Sequence, residues 1–173
     1  CTGISDLAAE ALKAPKREEQ VESLKTLSSF LDRGAMSQVV TAGSSKIATL
    51  WGRLMGRMHE IPGLLRNGLS FGISSGMQPD GTFTYTAALE VGSAAASTDL
   101  PPGMVKLAYP AATYAVFPCT MAALLDVYSA MLRQWLPSSR YVMAGDYAFE
   151  LYGPDFDDGP DAPLKLFLPI ARE

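Results

Sequence analysis

The chain predicts an α+β domain in which one strand–helix–strand–strand unit is written twice. Three observations predict it. Amphipathic helix patterns begin at Ile47 and at Met121. Each is followed by a turn, a short apolar strand and a second, alternating strand, so the copies run from about Ile47 to Val91 and from about Met121 to Ala171. A further strand pattern, Ala112 to Cys119, precedes the second copy. The copies are offset by about 75 to 80 residues, too long a period in too few copies for a solenoid. A duplicated unit of this kind leaves a groove where its halves meet.

Taken in order, Cys1 to Ser5 reads as the tail of a strand. Asp6 to Asp32 reads as polar helix broken near Pro15, with Leu24, Leu27, Phe30 and Leu31 as a narrow apolar stripe. Gly34 is a stop signal and Met36 to Thr41 a short strand. Residues 1–43 are therefore read as a partly helical extension, and 44–173 as the domain, with halves at about 44–92 and 108–173. Ser44 or Ser45 caps the first helix, whose face is Ile47, Leu50, Trp51, Leu54, Met55 and Met58. Gly52 and Gly56 lower its propensity, which predicts close packing on their side. Pro62 ends it. Leu69 to Ile73, which includes Phe71, is a short strand, Asp80-Gly81 a turn, and Phe83 to Val91 an alternating strand. Gly92 to Gly103 connects the halves. Thr120 caps the second helix, whose face is Met121, Leu124, Leu125, Tyr128, Met131, Leu132 and Trp135, and Pro137 stops it. Strands at Tyr147 to Tyr152 and Leu164 to Ile170 follow, joined by the acidic connection Gly153 to Pro163, which reads as a mobile rim.

Composition narrows the function. A length of 173 residues, 48% apolar and 18% charged, suits one globular domain. A net charge of -4, with 14 scattered basic residues, argues against direct nucleic-acid contact. No apolar run approaches the roughly 20 residues needed to span a bilayer. Two cysteines, Cys1 and Cys119, make no disulfide framework, so a cytoplasmic setting is expected. One histidine, His59, without a Cys or His cluster, leaves no zinc site. Neither a metal nor another cofactor is expected. The chain opens on Cys1 rather than Met, so an upstream segment is expected; a lipid-anchored cysteine or an N-terminal nucleophile are the alternatives.

The run Phe83-Thr84-Tyr85-Thr86-Ala87-Ala88-Leu89-Glu90-Val91, then Leu100-Pro101-Pro102-Gly103-Met104, then Ala112-Thr113-Tyr114-Ala115-Val116-Phe117 resembles the GyrI-like small-molecule-binding domain, also called the AraC-type effector-binding or SOUL-like domain. Phe149-Glu150-Leu151-Tyr152 with Leu166-Phe167-Leu168-Pro169-Ile170 resembles its last hairpin. The resemblance implies two units related by a pseudo-twofold axis, an antiparallel sheet with its helices on one face, and a central ligand groove. It implies binding of hydrophobic, often cationic compounds, with Glu150 at the position of the acidic residue that meets the ligand's charge. Some members are fused to DNA-binding modules, others stand alone, and a few hydrolyse strained electrophiles. About forty residues precede Ile47 here, which leaves the opening strand to either Cys1 to Ser5 or Met36 to Thr41.

Glu150 is the sharpest single signal. A carboxylate in an apolar pocket must be paired, hydrogen-bonded or protonated, and an organic cation supplies the pairing. The alternative is a solvent-facing residue, since Ala148, Glu150 and Tyr152 share one strand face. Trp51, Tyr85, Tyr109, Tyr114, Tyr128, Trp135, Tyr147 and Tyr152 are candidates for an aromatic cage, Trp51, Tyr147 and Tyr152 first among them. The expected ligand-binding set is Glu150, Trp51, Tyr147, Tyr152, Tyr114, Met55, Phe71 and Glu90, with Met55 as an adaptable wall. No residue is assigned a catalytic role. His59 reads as a helix-terminal surface residue, and Cys119 as a buried inert thiol. The leading expectation is a stand-alone module that binds small hydrophobic or cationic molecules; a homodimer is left open. The alternatives are a hydrolase of strained electrophiles with Glu150 as proton donor or base, and the sensing part of a transcription regulator.

Overall fold

Among the described residues, eight antiparallel strands form one sheet in the order β4-β1-β3-β2-β7-β8-β5, with β6 on the β7 side of β8. The computed structural model describes residues 33–41, 44–65, 69–91, 100–107, 112–154, 156–157 and 159–173. The strands are β1 (Arg33–Thr41), β2 (Ser70–Ser75), β3 (Thr82–Glu90), β4 (Val105–Leu107), β5 (Thr113–Thr120), β6 (Tyr141–Met143), β7 (Tyr147–Tyr152) and β8 (Pro163–Arg172). The expected elements at Cys1 to Ser5 and Asp6 to Asp32 lie outside the described residues. β1 pairs with both β3 and β4, so among the described residues the sheet begins at Arg33, inside the segment 1–43 expected to be a partly helical extension.

The duplication is visible in the pairing. The order β1-β3-β2 on one side is repeated in reverse as β7-β8-β5 on the other, and β2 and β7 meet at the centre. There Gly72 stands opposite Glu150. Directly paired residues share a face of a sheet, so one row runs Ala87, Gly72, Glu150, Leu166 and Phe117 across five strands. Both helices cover this face. α1 (Ser45–Gly56) packs Leu50 and Leu54 against Phe83, Tyr85, Ala87 and Leu89. The second helix, α2, packs Val127, Met131 and Trp135 against Ala115, Phe117, Ala148, Leu166, Leu168 and Ile170. The other face carries Phe71, Ile73, Ala88, Tyr114, Phe149 and Phe167. Strand burial on both faces explains why β2 and β7 read as apolar runs instead of alternating ones.

The helices depart from expectation in instructive ways. Ser44 caps α1 by accepting a hydrogen bond from the Lys46 amide at 3.2 Å. The α-helix ends at Gly56, before Pro62, and tightens into a 3-10 turn at Met58–Glu60. Arg57 fixes that turn, donating to Glu60 Oε2 at 2.7 Å and to the Pro102 carbonyl at 3.0 Å. Met55 and Met58 fall on the exposed side. Among the described residues, the close packing expected at Gly52 and Gly56 is absent: both are exposed, and a Cβ built on either meets nothing. Gly52→Ala is therefore expected to raise the unfolding free energy by about 1 kcal/mol in a urea titration. A lowered midpoint would reveal a contact on that face.

α2 is built of a 3-10 turn Met121–Ala123, an α-helix Leu124–Ala130, a π-helical turn Met131–Trp135 and a last α-turn Leu136–Ser138. Thr120 occupies the cap position without making a side-chain bond. The connection from β7 does that work instead: the Met121 and Ala122 amides donate to the carbonyls of Ala162 and Pro160. The end of the acidic connection is thus tied to the start of α2. Pro137 lies inside the last turn, one residue before the helix ends. It has no amide hydrogen to return to the preceding turn, and the wider π-helical winding sits at that place.

Candidate functional site

Strands β2, β3 and β7 and helix α1 build the surroundings of Glu150. Residues 148, 150 and 152 of β7 face the helices, while 147, 149 and 151 face away. Glu150 is 4% exposed, which excludes the solvent-facing alternative. Its Oε2 accepts hydrogen bonds at 2.8 Å from the Tyr85 hydroxyl on β3 and at 2.8 Å from the Tyr152 hydroxyl. Trp51 on α1 donates its indole N–H to the Tyr85 oxygen at 3.1 Å. The Trp51 and Tyr152 rings meet edge to face at 5.6 Å, and Phe156 meets Tyr152 at 4.7 Å, also edge to face.

Gly72 makes room for this cluster. A Cβ at that position would land on the Tyr85 hydroxyl and on Glu150 Oε2. Gly72 is the cross-strand partner of Glu150, and with the pseudo-twofold axis placed at this pair, near the middle of the β2–β7 ladder, it is also its counterpart in the other half. One half of the duplication thus supplies the acid and the other supplies the space.

Electrostatics follow from burial. Desolvation pushes the Glu150 carboxyl up from its usual 4.5 to about 7, against the opposing effect of the two tyrosine hydrogen bonds. Burial first, and the Glu150 charge second, push Tyr85, Tyr128 and Tyr152 up, so their hydroxyls remain protonated donors. Cys119 is pushed up to about 12 by the same two causes, which leaves an unreactive thiol. Among the described residues, the groups bonded to the Glu150 carboxylate are phenols, and no basic side chain reaches it.

The structure brings together Glu150, Trp51 and Tyr152 from the predicted set. It places the others elsewhere. Tyr114 and Tyr147 lie on the opposite face of the sheet, their hydroxyls 2.9 Å apart, and Phe71 packs on that face too. Met55 is 46% exposed on α1. Glu90 accepts the Leu69 amide at 2.9 Å at the end of β3, a bond that closes the β2–β3 ladder. Tyr85, weighed only as one of eight aromatics, is a member of the cluster. Gly72 lies outside the expected set; a lone glycine within an apolar strand is the signal that marks it.

A duplicated sheet whose centre holds one buried acid among aromatic hydroxyls belongs to a class of small α+β ligand-binding domains. The family model for the GyrI-like small molecule binding domain matches residues 34–171, and the chain belongs to that family. It is 31% identical over 134 residues to the transcriptional regulator BrlR of Pseudomonas aeruginosa, an alignment that covers 75% of this chain and 48% of the regulator. The chain therefore spans about half the length of that curated relative. Among solved structures, the EcmrR C-terminal domain shares the fold at a TM-score of 0.64 and 15% identity, covering 82% of this chain and 91% of that one. SAV2435 bound to tetraphenylphosphonium shares it at a TM-score of 0.54 and 19% identity, covering 82% and 88%. Among the described residues no helix is long and apolar enough to cross a membrane.

Proposed function

We propose that this domain binds lipophilic organic cations, and that Glu150 supplies the counter-charge. The observation that carries this reading is the pairing state of Glu150. A buried carboxylate is costly unless it is paired or neutralised, and here it meets two hydroxyls and no cation among the described residues. Its raised pKa is the signature of a charge without a sufficient partner. A bound cation would supply that partner, while the Trp51 and Tyr152 rings offer π faces and edges to a flat or aromatic ligand. The tetraphenylphosphonium held by a protein of the same fold supports the ligand class. The similarity to a transcriptional regulator favours a role as a ligand sensor, with the DNA contacts carried by another segment or another chain.

Glu150→Gln keeps the side chain's shape and removes its charge. It is expected to weaken binding of tetraphenylphosphonium about tenfold or more, the equivalent of about 1.4 kcal/mol. Binding of the neutral triphenylmethanol should stay within about twofold. Isothermal titration of both compounds against both proteins checks this, and equal losses for the two would end the charge assignment.

A further inference from the structure

We propose that the Tyr128 hydroxyl is a second anchor of the site, donating a hydrogen bond to an acceptor oxygen carried by the bound cation. The proposal rests on the cation-binding reading for its occupant, but on a different side chain and a different observation.

The duplication places Tyr128. Leu50 and Leu54 of α1 correspond to Val127 and Met131 of α2, each pair being the most buried contacts of its helix with the sheet. In the same register Trp51 corresponds to Tyr128. With the axis placed at the Gly72–Glu150 pair, near the middle of the β2–β7 ladder, Ser74 corresponds to Tyr152. Trp51 reaches over the axis to Tyr152. Tyr128 reaches over it the other way, towards Ser74 on β2. Both side chains thus overhang the junction of β2 and β7, one from each helix.

Their hydrogen bonding differs. The Trp51 indole is satisfied by Tyr85. The residue that corresponds to Tyr85 in the second half is Leu164, since Ser74 pairs with Tyr85 and Tyr152 pairs with Leu164. Leucine offers no acceptor. The Tyr128 oxygen is completely buried and, among the described residues, closes no hydrogen bond of full geometry; the Ser74 hydroxyl approaches it on the donor side, which offsets part of the rise that burial gives the Tyr128 pKa, and leaves the phenol's own hydrogen without an acceptor. Buried polar groups are nearly always paired, so an orphan of this kind marks a place where something else supplies the partner. A hydroxyl kept protonated beside Glu150 presents its hydrogen, and the complementary group is an acceptor. The ligand class is thereby narrowed to cations that carry a carbonyl, ether or hydroxyl oxygen away from the charge.

Two nearly isosteric probes test this: (4-acetylphenyl)triphenylphosphonium, which carries a ketone oxygen, and (4-isopropenylphenyl)triphenylphosphonium, which carries a methylene in its place. The wild-type protein is expected to bind the ketone about fivefold to tenfold more tightly. Tyr128→Phe should abolish that preference and leave the hydrocarbon probe unchanged. Without ligand, Tyr128→Phe should melt at the same temperature as wild type or higher, because it removes an unsatisfied hydroxyl. Equal affinity of wild type for the two probes overturns the proposal. So does an equal loss of both in Tyr128→Phe, or a lowered melting temperature, which would give the hydroxyl a structural partner. Glu150→Gln reports separately: it should weaken both probes alike. If it weakens neither while Tyr128→Phe still lowers the affinity of the ketone probe alone, the charge reading fails and this one stands. If wild type binds neither probe, both fail.

Discussion

Gly72→Ala is expected to lower the unfolding free energy by about 3 kcal/mol. The new methyl group would occupy the space now held by the Tyr85 hydroxyl and Glu150 Oε2. Neither is the free end of a flexible chain: Tyr85 is held by Trp51, and Glu150 by both tyrosines. Relief requires breaking at least one hydrogen bond to a buried carboxylate, beyond the overpacking itself. Equilibrium urea unfolding measures the loss, and Gly153→Ala is the control, because a Cβ there meets nothing. Tyr85→Phe removes one of the two clashing oxygens, so Gly72→Ala should cost less in that background than in wild type. A Gly72→Ala protein within about 0.5 kcal/mol of wild type would mean that the cluster is not held as described.

How far this centre could be read from the sequence depends on parity. The alternation of Phe83, Tyr85, Ala87 and Leu89 is explicit, and so is the helical spacing of Leu50 and Leu54, because one face of each element is buried and the other is less so. β7 is buried on both faces, so its hydropathy carries no alternation. Glu150 stands out there by charge alone. Proximity in sequence groups Tyr147 with it, yet three residues along a strand reverse the face, and Tyr147 pairs with Tyr114 on the far side. The strand period alone would have kept Tyr152 and set Tyr147 aside. Gly72 required the β2–β7 register, which is a long-range pairing with no local trace. β4 and β6 escaped for a different reason. Each has three residues and is held by its neighbour in the sheet, below the length at which a period can be counted.

Stability should fall as pH rises from about 5 to about 8, and Glu150 should account for most of the fall. The folded-state carboxyl titrates near 7 and the unfolded one near 4.5. Between those values the folded protein holds a proton that the unfolded chain has released. Stability therefore falls with increasing pH across this window and levels off above it; the total is about 3 kcal/mol. Glu60 beside Arg57, and Asp80 bonded to Thr82, are held below the usual carboxylate range. They act with the opposite sign and only on the acid side, and they are common to wild type and variant. The difference between wild type and Glu150→Gln thus isolates the buried group. The variant should be about 2–3 kcal/mol more stable than wild type at pH 8 and within about 1 kcal/mol at pH 4.5. The tyrosines and Cys119 around the carboxylate, all pushed upward, stay neutral throughout. A cation selects the deprotonated acid, so binding must release the proton that wild type holds below pH 7. Tetraphenylphosphonium affinity should then rise from pH 5 to pH 8 in wild type by about tenfold or more, the same factor that Glu150→Gln costs, and remain flat in Glu150→Gln. Parallel pH profiles for the two proteins, in unfolding or in binding, would place the titrating group elsewhere.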